Sequence, residues 1–278
     1  MTPSQSFNQN ALRIPPHDRQ RFFVAAKTGN VHTMRVMLAE RPDAVHWRLG
    51  GKTALVAAIE NKQLPAVTFL LKQGCDVNAK TDDNLSSPIH AAAACNNEQI
   101  LIQLLHSHAR VNLAKAGDTT PVMTAARANA TRTLAILLQH GAPHTTLDDD
   151  GNAALHIATS SSRMEAAQTL IDNGADINLR NRDGHTPLML AARERNLKAY
   201  KFLIEAGADE TLRDDLNETA RDMVQAFGSS DEKFIAGYHA MVRDRDRMET
   251  QKLLPKFHTG TDRTITASKP VRFKNSAK

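Results

Sequence analysis

Aromatic residues make up only 4% of this 278-residue chain, with a single tryptophan. A globular enzyme of that length usually carries more, because large rings fill the centre of a thick core. A stack of short helices faced with alanine needs few. No apolar run reaches the roughly 18 residues of a membrane span, so no transmembrane helix is read. The first residues, Met1 to Pro16, are polar and lack the apolar core of a secretory signal. Cysteine is almost missing: Cys75 and Cys95 stand alone, without a Cys-x-x-Cys partner. Zinc and redox readings therefore lack support, and the usage suits a reducing, cytoplasmic compartment. Also missing are a Gly-rich phosphate loop, G-x-S-x-G and H-E-x-x-H. Nothing groups a nucleophile, a base and an orienting residue. The expectation is a non-enzyme without cofactor or metal.

The net charge of +5 is unevenly spread. From Gln251 to Lys278 seven cations face Asp262 alone, so this segment carries +6 and the rest of the chain −1. The basic character belongs to the C-terminal tail.

What the chain does have is a phrase that returns. Thr53-Ala54-Leu55-Val56 is followed by Ser87-Pro88-Ile89-His90, Thr120-Pro121-Val122-Met123, Ala153-Ala154-Leu155-His156 and Thr186-Pro187-Leu188-Met189, and fades at Thr219-Ala220-Arg221-Asp222. The first step is 34 residues and the others 33. Gly74, His108, Gly141, Gly174 and Gly207 keep the same beat. A period of this length marks a stacked repeat array, in which each unit touches only its neighbours.

Each phrase has local physics. In the clearest copy, Asp183-Gly184 is a turn pair and Thr186 a helix N-cap. Pro187 takes the first helical position, where its missing N–H costs nothing. Leu188, Leu190, Ala191 and Ala192 make a short helix whose small residues let neighbours approach. After a break at Arg195-Asn196, a second helix from Leu197 to Glu205 ends at Gly207 in the left-handed conformation. Between the helices stand Gly29, Asn96 and Asn129, which tolerate left-handed φ. Lys62, Ser162 and Arg195 fill that place elsewhere at some cost.

The block resembles the ankyrin repeat, whose pattern runs D-x-x-G-x-T-P-L-H-x-A-A, then a second helix with L-L, then G-A-D-V-N. Asp76-Val77-Asn78, Arg110-Val111-Asn112 and Asp176-Ile177-Asn178 match its last phrase. The likeness covers roughly Asp18 to Phe227. It implies an all-α solenoid of stacked helix-turn-helix repeats with short, hairpin-like fingers. The expected layout is a flexible head at 1–16 and an array at 17–230, divided at 17–48, 49–81, 82–114, 115–147, 148–180, 181–213 and 214–230. A C-terminal helix at 231–254 and a basic, disordered tail at 255–278 follow. Departures from the pattern carry expectations too. Ser87 can replace the capping Thr, Ala153 cannot, and one extra residue before Ser87 lengthens that turn.

The resemblance also reassigns residues that invite chemistry. His90 and His156 occupy the T-P-L-H position and read as structural. Asp148-Asp149-Asp150 reads as a solvated acidic turn, and Asn78, Asn112 and Asn178 as side chains tying a turn to a helix. In the family the concave face is built by the first helices and finger tips. The positions it leaves free make the candidate partner-binding set. On the first helices these are Lys27, Glu60, Asn61, Arg127, Arg193 and Glu194. On the fingers they are Lys52, Thr119, Asp149, Asp150, Asn152, Arg182, Asp183 and His185. This mixed charge suits a protein or peptide better than nucleic acid, which needs continuous basic charge. The expected function is non-catalytic protein–protein binding by a cytoplasmic monomer. Two alternatives stay open. One is a translocated bacterial effector that binds a host protein, with the tail as export signal. The other is nucleic-acid or anionic-membrane association through the tail.

Overall fold

A computed structural model describes residues 16–226 and 232–253. The expected head, apart from Pro16, and the expected tail lie outside the described residues. The chain divides into two compact units, Met1–Gly237 and Tyr238–Lys278.

The first unit repeats one motif: short helix, break, second helix, finger. The first helices are α1 (Pro16–Thr28), α3 (Ala54–Glu60), α5 (Pro88–Cys95), α7 (Pro121–Arg127), α9 (Ala154–Ser160), α11 (Pro187–Arg193) and α13 (Ala220–Ala226). The second helices are α2 (Val31–Glu40), α4 (Leu64–Lys72), α6 (Glu98–His106), α8 (Thr131–Gln139), α10 (Met164–Asp172) and α12 (Leu197–Glu205). Each first helix packs on the next first helix, and all but α13 pair with their own second helix. The first finger is a two-stranded hairpin of β1 (Arg48–Leu49) and β2 (Lys52–Thr53), with Arg48 opposite Thr53. The last element is α14 (Glu232–Leu253). At its Gly237 a Cβ would come within 2.2 Å of the Leu197 side chain of α12.

The core follows from the repeat frame. Ala25, Ala58, Ala92, Ala125, Ala158 and Ala191 occupy one position in successive first helices, and none is more than 4% exposed. A methyl group there sets how closely first helices approach; a larger side chain would force the stack apart. Leu70, Leu104, Leu137, Leu170 and Leu203 occupy the matching position in the second helices, and all are fully buried. Truncating any of them to alanine would cost about 2–5 kcal/mol. Trp47 is buried as well, edge-on to Phe22 at 6.0 Å, with its Nε1–H donated to Asp43. It seals the N-terminal unit rather than projecting as a contact residue.

Polar groups join the repeats as firmly as apolar ones. The break position is left-handed throughout, with φ of 74° at Gly29, 56° at Lys62, 51° at Asn96, 56° at Asn129, 55° at Ser162 and 55° at Arg195. Helices α2, α6 and α12 carry their own N-caps, Asn30, Asn97 and Asn196. Helices α8 and α10 begin after Ala130 and Arg163, which cap nothing. The missing acceptor comes from the repeat before. Asn96 Oδ1 accepts from the N–H of Arg132 at 3.1 Å and of Thr133 at 3.4 Å. Asn129 Oδ1 accepts from the Ala166 N–H at 3.0 Å. One asparagine thus serves twice, as a tolerant left-handed residue and as a cap in trans.

The finger tips also form a ladder. The N–H groups of Asp82, Ala116, Asp149 and Arg182 donate to the carbonyls of Gly51, Asn84, Gly117 and Gly151 in the preceding finger, at 2.8–3.1 Å. Gly151 permits its rung, because a Cβ there would fall 2.3 Å from the Arg182 Cβ and φ is +79°. The extra residue before Ser87 lies in the second finger as expected. Thr81 N–H closes that finger onto Ser86, five residues on, whereas Lys115, Asp148, Asn181 and Asp214 close theirs four residues on.

Two stability predictions follow from these links. Asn129→Ala should cost about 1–2 kcal/mol in equilibrium urea unfolding, and Asn129→Gly less, because glycine restores the backbone but not the cap. Gly151→Ala should cost at least about 1–2 kcal/mol from the left-handed backbone alone, more with the Arg182 clash. An unchanged midpoint for either alanine variant would contradict the assigned bond or contact.

Candidate functional site

The candidate residues fall into two groups, those at the ends of first helices and those in fingers. Lys27, Glu60, Asn61, Arg127, Arg193 and Glu194 sit in the last turn of a first helix or just past it, and all are exposed. They are exposed because the frame reserves the preceding positions for the alanine contacts. Asp149, Asp150, Arg182 and Asp183 are exposed at finger tips; Lys52, Thr119 and Asn152 are half-buried.

Several are already engaged. Lys52 Nζ pairs with Glu60 at 2.7 Å and 2.9 Å across the finger–helix junction. Asn61 Nδ2 donates to the Ala57 carbonyl at 2.8 Å. Glu194 Oε1 accepts from the Ser160 hydroxyl at 3.0 Å, linking two repeats. Asn152 Oδ1 accepts from Asn181 Nδ2 at 3.0 Å. Arg182 donates to the Asp149 carbonyl at 2.8 Å. Lys27 and Arg127 are the cations with the fewest local ties.

His185 departs most from the expectation of a free contact residue. It is only 7% exposed. Its Nε2 lies 3.4 Å from Asp214 Oδ2, and Arg193 Nη1 stands 3.1 Å from both ring nitrogens. Sequence reasoning missed Asp214. It is buried, and its Oδ1 accepts from the N–H groups of Leu216 and Glu218. The signal was in the frame: Asp148, Asn181 and Asp214 stand 33 residues apart, each closing its finger with a side-chain oxygen. Asp148 therefore corrects the reading of a solvated acidic turn. It is 5% exposed and accepts from the Asn152 N–H at 2.8 Å; only Asp149 and Asp150 face solvent.

A cleft of about 760 Å³ opens beside the last two fingers, with Arg182, Asp183, His185, Arg193, Asp214, Asp215, Leu216, Glu218, Met223 and Ala226 around it. Leu216 at its edge is 79% exposed. The finger ladder stops here: among the described residues no backbone bond joins Asp215 to Gly184.

The two histidines are fully used as links. His156 Nδ1 accepts from the Ala153 N–H at 3.3 Å, and its Nε2 meets the His185 carbonyl at 3.1 Å, so Nε2 carries the proton. This answers how α9 starts without a capping Thr: the imidazole three residues on takes the free N–H. His90 Nε2 reaches the Thr119 carbonyl at 3.1 Å, and its Nδ1 accepts from Ser87. The Ser87 hydroxyl is thereby diverted from the helix cap it was expected to make. In the repeat after each histidine, methionine sulfur replaces imidazole: Met123 and Met189 approach the N–H of Thr120 and Thr186 at 3.3 Å and 3.4 Å. Burial lowers the pKa of His90 and of His156 to about 4, so both are neutral near pH 7. Burial also pushes the Cys75 thiol up to about 12, away from nucleophilic chemistry.

Two of the three asparagines of the third phrase act as turn ties. Asn78 Oδ1 accepts from the Arg110 N–H at 2.9 Å, and Asn178 Oδ1 from the Asp209 N–H at 3.0 Å. For Asn112 the equivalent place in sequence is Pro143, which has no N–H to give.

With the geometry established, the chain can be compared with known proteins. A family model described as ankyrin repeats in three copies matches residues 16–81, 60–148, 89–181 and 144–214. The human transient receptor potential cation channel subfamily A member 1 is 30% identical over 166 residues, which is 58% of this chain and 15% of that protein. The potassium channel AKT2/3 of Arabidopsis thaliana is 29% identical over 164 residues, 58% of this chain and 20% of that one. The chain thus spans a small fraction of these relatives. Among solved structures, the ankyrin repeat domain of human ASB11 superposes with a TM-score of 0.65 at 20% identity, covering 78% of this chain and 96% of that one. The ankyrin repeat domain of Bcl-3 superposes with a TM-score of 0.63, also at 20% identity, covering 74% and 96%.

The histidine links yield a pH prediction. The native pKa is lowered, so the unfolded chain takes up protons first as pH falls. Stability is held above about pH 6.5 and lost towards pH 4, by on the order of 1–3 kcal/mol per histidine. His156→Met should cost about 1 kcal/mol at pH 7, because the His185 carbonyl loses its donor. The gap to the parent should close as pH falls to 4.5 in urea unfolding. A gap that widens would contradict a neutral, bridging imidazole.

Proposed function

The chain belongs to the ankyrin-repeat family, and from that premise we propose that it binds a protein or peptide through the concave face of first-helix ends and finger tips. Ankyrin repeats generally mediate protein–protein interaction, and such domains are typically non-catalytic. The observation that carries the finer reading is the distribution of exposure. Within each repeat the frame buries the alanine and leucine positions and leaves the helix ends to the solvent, at Lys27, Glu60, Arg127 and Glu194. Those positions lie on the first, second, fourth and sixth repeats at equivalent or adjacent places, so they offer one extended row of unlike side chains. Repeat arrays use such rows to bind.

The residue chemistry favours a partner of mixed charge. Lys27, Arg127 and Arg193 are interspersed along the row with Glu60 and Glu194. A nucleic acid would meet the carboxylates as well as the cations. We place the protein as a monomer in a reducing, cytoplasmic setting, a reading supported by the unpaired thiols of Cys75 and Cys95. The net +6 of Gln251 to Lys278 favours a second reading, in which the tail adds a contact with an anionic surface.

The test is crosslinking capture with the intact chain beside a variant carrying Lys27→Glu, Arg127→Glu and Glu194→Lys. A captured protein should fall to about a tenth or less with the variant, at unchanged helical circular dichroism. Capture that survives in this variant but vanishes when residues 255–278 are removed would move the function to the tail.

A further inference from the structure

Resting on the reading of the array as a binder, we propose that the cleft beside the last two fingers anchors a linear segment of the partner protein, one presenting a lysine or arginine next to a large apolar side chain. Charge complementarity carries the assignment. The carboxylates of Asp183 and Glu218 make no ion pair or side-chain hydrogen bond among the described residues, and Asp215 has only Arg180, at 3.8 Å. The arginines of the cleft are directed elsewhere. Arg182 donates to the carbonyls of the preceding finger, and Arg193 lies over His185. Asp214 is taken up by His185 and by backbone N–H groups. The mouth therefore offers carboxylates that lack cations.

The apolar side of the cleft selects the neighbour. Leu216 stands 79% exposed at the edge, with buried Met223 along the wall. A lysine or arginine can lay its methylene stem on such a surface while its head reaches the carboxylates. The resulting hydrogen bonds are charge-assisted and stronger than neutral ones. An acidic segment would meet repulsion, and a purely apolar one would strip water from carboxylates without replacing it. The volume of about 760 Å³ suits a few side chains.

The experiment is selection of a short random-peptide library on the full-length chain. Fluorescence-polarisation titration of the enriched peptide follows, against the parent, the Asp183→Asn/Glu218→Gln pair, Leu216→Ser, and the first-helix variant described above. The enriched sequences should pair Lys or Arg with an apolar neighbour. Affinity should fall about tenfold or more in both cleft variants and change less than about twofold in the first-helix variant. All substituted side chains are exposed, so circular dichroism should match the parent. An empty selection, enrichment of acidic or uncharged sequences, or binding indifferent to the cleft variants would overturn the anchor site. If binding instead depends on the first-helix variant, the anchor fails while the broader binding face stands. If neither set matters, both fail.

Discussion

The structure depends on one constraint: a repeat cannot satisfy its own backbone. A short helix leaves several N–H groups at its start without partners. With first helices of seven or eight residues through most of the array, those ends are a large share of the backbone. Each repeat meets the deficit partly with its own cap and partly with its neighbour's side chain. Asn96 and Asn129 cap helices in the repeat that follows, and His90 and His156 hold the carbonyl of the next finger while using an N–H or hydroxyl of their own. Apolar burial sets the spacing of the stack; these bonds set its register.

The same dependence explains why the ends differ from the middle. An internal repeat has a neighbour on each side to complete it. At the start, Trp47 and Phe22 pack edge-on within the first unit. At the end, Thr219 and Asp222 form a reciprocal cap: the Asp222 N–H donates to the Thr219 hydroxyl, and Asp222 Oδ2 accepts from the Thr219 N–H. A carboxylate thus stands where imidazole or thioether stands earlier, and among the described residues it reaches no further finger. The finger ladder ends in the same region. The cleft lies at that ending, where among the described residues the last finger lacks the rung that ties the others, and Leu216 and Glu218 face solvent.

Much of this was legible in the chain. The period, the helix starts at Pro187 and Leu197, the left-handed break positions and the lengthened second finger all follow from local rules, because each concerns residues a few places apart. The bonds between repeats were not legible. Asn129 and Ala166 are 37 residues apart, and the asparagine reads equally well as a simple left-handed residue. His185 reads as a free finger residue until Asp214 and Arg193 are brought against it. Ser87 reads as a cap until His90 competes for its hydroxyl. In each case the outcome turns on which partner comes within hydrogen-bonding distance, a matter of packing.

The sequence by itself determined the architecture. A 33-residue period with alanine, leucine and glycine at fixed places permits one way of stacking, since only small residues let the first helices touch and only flexible ones turn the chain between them. What the tertiary structure alone decided is the division of the polar residues into links and free surface. Lys27 and Arg127 remained available, His185 and Asp148 were taken into the stack, and Asp183 and Glu218 were left at a cleft with no ion pair of their own among the described residues. The physical reason is range. Periodicity fixes what each residue does within its own repeat, whereas a hydrogen bond or ion pair between repeats depends on distances that exist only once the repeats are stacked.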